Sequence, residues 1–173
     1  MTIQNGLALA PSYMSNVISI PDIGKYVSSH LQSVFDTMLA LNVNLLPESE
    51  NRALTGDRVT GTVGMAGETI NGLVYVHLPA PLAAKAAAAM LGLAPEDLGD
   101  AEVNDVIGEV TNMVAGGLKS WLCDAGATCA LTTPAIIRGN SFSVTAKPGV
   151  EHLLIAFECE GHACLAEVHV KFN

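Results

Sequence analysis

The chain has 173 residues, 50% hydrophobic and 14% charged, with 8 Lys+Arg against 17 Asp+Glu and a formal net charge of −9. That balance, with a pI of about 4.8, excludes a nucleic-acid surface, which needs clustered Lys and Arg, and disfavours anionic membranes for the same reason. Mean hydropathy is high at +0.39, yet no apolar run reaches the ~18 residues a membrane span requires, so the apolar content is expected in the core of one compact domain.

Residues 1–21, MTIQNGLALAPSYMSNVISIP, carry no charge but lack a basic leader and are broken by Asn, Ser, Gln and two prolines. They are expected to form a loosely attached arm on a single domain spanning 22–173. Four cysteines, Cys123, Cys129, Cys159 and Cys164, in a chain read as having no export signal are expected to be reduced, which places the protein in the cytoplasm.

From Ile23 to Leu46 the apolar residues Ile23, Val27, Leu31, Val34, Phe35, Met38 and Leu41 recur at spacings of three and four, predicting an amphipathic helix that opens at Pro21-Asp22. A polar surface loop follows from Leu46. Two alternating segments, Val59 to Met65 and Ile70 to Leu78, then predict an antiparallel hairpin. On its second strand Leu73 and Tyr75 fall on the presumed outer face, where they could make an apolar contact with another copy. An alanine-rich helix starts after Pro79 and ends at Gly92.

The most patterned segment runs from Ala101 to Cys123, predicting a helix of about six turns that ends at Asp124 to Gly126. The remainder alternates again near Thr128 to Ile137, Ser141 to Ala146, Leu153 to Cys159 and Cys164 to Phe172, the pattern of strands with one face on a core. The order predicts an α+β domain, a mostly antiparallel sheet packed by helices, with a helix-then-strands order in both halves that hints at duplication.

In the long helix, Val103, Val106, Ile107, Val110, Val114, Leu118 and Trp121 share one side, which is core. Opposite them, within roughly 60°, lie Asp105, Glu109 and Asn112, with Gly116 just beyond. An ordinary solvated face would also look polar. However, Ala101, Gly108 and Gly116 make the surroundings unusually small, and glycine inside a helix costs about 1 kcal/mol relative to alanine. Access for another molecule's backbone is the expected return.

The run Asp105-VIG-Glu109-VT-Asn112, followed by Pro134 after the next strand, resembles the signature of the CheC/CheX/FliY chemotaxis phosphatases. The surrounding Gly108-EVTNMVAGGLKS and Pro134-AIIRGN are similar to the CheX branch. CheC-like members carry the Glu and Asn pair on two helices, whereas the first helix here reads Ser29-HLQ-Ser33-VF-Asp36, so the likeness is to the single-site pattern. It implies a homodimer with one site per subunit, acting on a phosphorylated CheY-type response regulator whose aspartyl phosphate sits beside a Mg²⁺ bound by that partner. No cofactor of the chain's own is implied.

An acyl phosphate is already reactive, so the catalyst's task is to place a water in line and stabilise charge. The amide of Asn112 has both acceptor and donor for that water, and Glu109 would pair with a lysine of the partner. Asp105 and Gly116 would support or contact the partner, and Pro134 would shape the strand beside the helix. The competing reading is a non-catalytic interaction module of the same fold, binding a signalling or flagellar-switch partner.

No metal site is expected. Cys159-EG-His162-A-Cys164 has zinc-ligand types, but both thiols continue apolar series and should point into the core. His162 and His169 are expected at the surface, and His30 and His77 lack ligand-like neighbours at helical or strand spacing.

Overall fold

The computed structural model describes residues 18–47, 54–140 and 142–173. Helix α1 (Ile20–Leu39) begins where the Ser19 hydroxyl accepts the Asp22 N–H at 3.2 Å, with proline in its first turn. This is the expected start, since capping satisfies one of the free N–H groups of a first turn. Of the segment expected as an arm, residues 1–17 lie outside the described residues, and Ile18 is buried beside the start of α1.

The expected end of α1 is corrected. Ala40 adopts φ 50°, ψ 36°, and the Ala40 and Leu41 N–H groups return to Asp36 and Phe35 carbonyls. The chain then turns into strand β1 (Val43–Leu45), which pairs antiparallel with the later strand β6 (Glu151–Cys159). Leu41 is buried, as a continued helix would have required, so its place in the periodic series could not separate the two outcomes.

Strands β2 (Arg58–Ala66) and β3 (Ile70–Pro79) form the expected hairpin, and α2 (Ala80–Leu91) follows, closed by Gly92 at φ 64°. Helix α3 (Asp100–Asp124) carries acidic Asp100 and Glu102 in its first turn, where they suit the helix dipole. Short strands β4 (Ala130–Leu131) and β5 (Ala135–Gly139) precede β6 and β7 (His162–Phe172).

The strands form one antiparallel sheet in the order β1-β6-β7-β3-β2-β4, with β5 also on β2. The helices cover one face, and a continuous core from Ile18 to Val170 lies between. This is the α+β architecture expected.

No strand forms over residues 142–146; Ser141 lies outside the described residues. Phe142, Val144 and Ala146 are nonetheless half-buried and Ser143 and Thr145 exposed, so the alternation is real but belongs to a chain without a ladder partner. Phe142 holds it down: its ring lies under the Arg58 guanidinium at 3.7 Å, and its carbonyl accepts from the same group. No described helix is long and apolar enough to cross a membrane.

Candidate functional site

Helix α3 lies over β2 because its buried side, from Val103 and Val106 through Leu118 and Leu122, is apolar. The approach is close at one point. A Cβ on Gly61 of β2 would stand 1.9 Å from Thr111 Oγ1 and 3.0 Å from the Ile107 carbonyl, so only glycine fits beneath Thr111. The buried hydroxyl of Thr111 donates back to that carbonyl at 2.7 Å, satisfying itself within the helix. Thr111 thereby anchors the turn from which Asn112 projects.

With Thr111 pinned inward, helical spacing turns Asp105 and Glu109 to solvent and leaves Asn112 and Gly116 half-buried. Asp105 and Glu109 make no salt bridge among the described residues. A nearby cation is engaged elsewhere: Arg138 on β5 reaches Asp100 at 3.0 Å and Asn104 at 2.7 Å. The stripe is therefore acidic, polar and open to an incoming cation.

Pro134 is brought to this helix by a bulge. Leu131 pairs with Met65 and Ala135 with Thr62, so Thr132, Thr133 and Pro134 face only Val63 and Gly64. The extra residue bends the edge strand and re-aims the side chains around it. Thr132 steadies the bulge, its Oγ1 accepting the Gly64 N–H at 2.9 Å. Pro134 then lies over Gly108, where a Cβ would meet Pro134 Cβ at 3.5 Å and Ile136 Cδ1 at 3.8 Å.

Two expectations about small residues separate here. Gly108 is buried beneath Pro134 and offers no opening, whereas a Cβ on Gly116 would meet nothing within 4 Å. Gly117, not singled out from sequence, has a clear internal reason: its missing Cβ would fall 2.1 Å from His30 Nε2. His30, read as lacking ligand-like neighbours at helical spacing, reaches the Met113 carbonyl at 3.1 Å and stacks on Tyr26, which stacks on Trp121. These contacts lock α1 to α3 one turn beyond Asn112. On α1 the aligned Ser29, Ser33 and Asp36 are exposed and offer neither glutamate nor asparagine.

A second polar cluster lies on the sheet face away from the helices. His77, Glu167 and His169 are buried there, with His152 at the rim; His169 is thus not the surface residue expected, and His77 meets Glu167 across strands, where spacing along its own strand carries no sign of it. Burial alone would raise the Glu167 carboxyl, but contacts with His77, His169 and His152 hold it down at about 2. Tyr75 and Leu73 both lie on this outer face, as expected, but Tyr75 is buried there while Leu73 is 39% exposed. Cys159 and Cys164 are buried as expected.

The family model for chemotaxis phosphatase CheX matches residues 59–158, which include the whole α3 stripe and Pro134. Among solved structures, the chemotaxis protein CheX of Vibrio vulnificus is 27% identical, with 87% of this chain and 97% of that chain covered and a TM-score of 0.75. A CheX from Desulfovibrio desulfuricans is 24% identical over 87% and 99% of the two chains, TM-score 0.72. The CheX of a CheX-CheY-BeF3-Mg²⁺ complex from Borrelia burgdorferi is 23% identical over 85% and 96%, TM-score 0.69. These last two likenesses concern the fold. No curated protein matches the sequence.

Proposed function

The chain belongs to the CheX family of chemotaxis phosphatases, and from that premise we propose that it docks α3 on a phosphorylated CheY-type response regulator and hydrolyses its aspartyl phosphate. The observation carrying this reading is the stripe itself: exposed Glu109 and half-buried Asn112 one turn apart on a helix pinned at Thr111, within the segment matched by the family model.

Asn112 holds the attacking water, its carbonyl oxygen accepting one water proton while the amide N–H₂ bonds a phosphoryl or backbone oxygen. No strong base is required for so reactive a mixed anhydride. Glu109, which has no cation partner among the described residues, pairs with a lysine at the regulator's phosphorylation site and orients the docked helix. Asp105, a further turn back, extends the acidic contact; Gly116 leaves room for the partner's backbone, and Pro134 fixes the bulge beside the helix. The Mg²⁺ belongs to the regulator, as the Borrelia complex with CheY and Mg²⁺ suggests by analogy.

Acyl-phosphate lifetime, followed with a phosphorylated CheY-type regulator and Mg²⁺, tests the proposal. Wild type should shorten it, and Asn112→Ala should lose about 10²-fold of that acceleration while still binding. Glu109→Ala should weaken binding itself. Equal lifetimes with wild type and Asn112→Ala would remove the catalytic claim, and binding without hydrolysis in wild type would leave the interaction module.

A homodimer with one site per subunit belongs to the same reading, with exposed Leu73 as a contact. Sedimentation equilibrium should show a dimer in the micromolar range; a monomer there removes that part.

A further inference from the structure

Register alone brings three histidines to one glutamate on the sheet face away from the helices. Glu167 and His169 are two apart on β7 and share that face. His152 on β6 stands directly opposite His169, and His77 on β3 stands opposite Leu165, two residues before Glu167. Glu167 Oε2 consequently lies 3.1 Å from His152 Nε2 and 3.2 Å from His169 Nε2, while Oε1 lies 3.2 Å from His77 Nε2.

One ligand atom from each of His152, Glu167 and His169 falls within 4.8 Å of the others. A tetrahedral zinc ion with bonds of about 2.0–2.2 Å keeps neighbouring ligand atoms about 3.3 Å apart, and two edges of this triangle already have nearly that length. We infer that the cluster binds a divalent transition metal of the zinc type through His152 Nε2, Glu167 Oε2 and His169 Nε2, leaving a fourth position to water or an outside donor.

His77 supplies an independent observation. Its ring is 1% exposed, its Nδ1 is 2.8 Å from Thr60 Oγ1, and its Nε2 faces the carboxylate yet makes no hydrogen bond of acceptable geometry. When Oε2 goes to the metal, a small rotation gives Oε1 to His77 Nε2–H, the outer partner that metal-bound carboxylates ordinarily have. With the proton on Nε2, Nδ1 accepts from the Thr60 hydroxyl 2.8 Å away, so both ring nitrogens are then satisfied.

The donor set selects the metal class. Two imidazoles and one carboxylate suit zinc, nickel, copper and cobalt, whereas calcium and magnesium want oxygen alone. In the metal-free cluster the Nε2 atoms of His152 and His169 face the Glu167 carboxylate, which can only accept, so coordination through their lone pairs moves each Nε2 proton to Nδ1 or releases it to solvent. His152, with a side chain 40% exposed against 11% for Glu167 and 5% for His169, is the side from which the ion enters. The ion would tie β6 to β7 and, through His77, to β3.

The test uses the tag-free, chelator-stripped full chain, titrated with Zn²⁺ by calorimetry and with Co²⁺ by visible absorption. One ion per chain is expected, bound at least tenfold more weakly by His152→Ala and by His169→Ala and unchanged by His162→Ala. Zn²⁺ should raise the melting temperature of wild type and not of His152→Ala, whose exposed side chain can be removed without opening the core. Equal affinity in wild type and His152→Ala, no ion bound at all, or a cobalt spectrum with thiolate charge-transfer bands would each overturn the inference.

Discussion

Asn112 matters because its neighbours leave it little freedom. Thr111 is buried and self-satisfied, and Met113 gives its carbonyl to His30, so the amide sits between two fixed residues. The glycine at 117 serves the same lock, and its cost is testable. Gly117→Ala alone sets the roughly 1 kcal/mol of helix propensity gained against a Cβ placed 2.1 Å from His30 Nε2. In a His30→Ala background the clash is gone, so adding Gly117→Ala should raise stability by about 1 kcal/mol, measured by urea unfolding. If the alanine is no better tolerated there than in wild type, His30 is not the reason for the glycine. The polar stripe was legible from spacing alone; the His30 lock was not, because its residues lie on two helices.

Between elements, the decisive contact is α3 on β2. Sequence showed an alternating strand and an amphipathic helix but not that Gly61 and Thr111 would meet. Gly61→Ala should destabilise by at least the 1–3 kcal/mol typical of overpacking, because the helix carbonyl of Ile107 as well as Thr111 stands in the way. It should also disturb hydrolysis by lifting the turn that bears Asn112. A wild-type urea midpoint in Gly61→Ala would mean that the helix rides higher on the sheet. Pro134 shows the same limit of sequence reading. Its position after the strand was evident, but the bulge that sets three residues against two depends on the register with β2.

Across the whole molecule the four thiols report how well the core is sealed. Cys123 is exposed and Cys129 half-buried. Burial, and next the nearby Glu160, push the Cys159 thiol up to about 11, and burial, with Cys159 and Glu158 nearby, raises Cys164 as well. Since the thiolate is the reactive form, a disulfide reagent at neutral pH should label Cys123 at once and Cys129 more slowly. Cys159 and Cys164 should react only as fast as the protein unfolds. Prompt labelling of either by mass spectrometry would contradict their burial in the core.

The amino-acid sequence by itself determined the α+β class, the hairpin, the start and length of α3, and the stripe of Asp105, Glu109 and Asn112, because each depends on local propensity or on one helix's periodicity. Tertiary structure decided the rest. It ended α1 at Ala40, withheld a strand from residues 142–146, and gathered His77, His152, Glu167 and His169 onto one patch. Those outcomes depend on which strand lies beside which. Backbone pairing between distant segments is set by the packing of the whole core, and a linear pattern carries little trace of it.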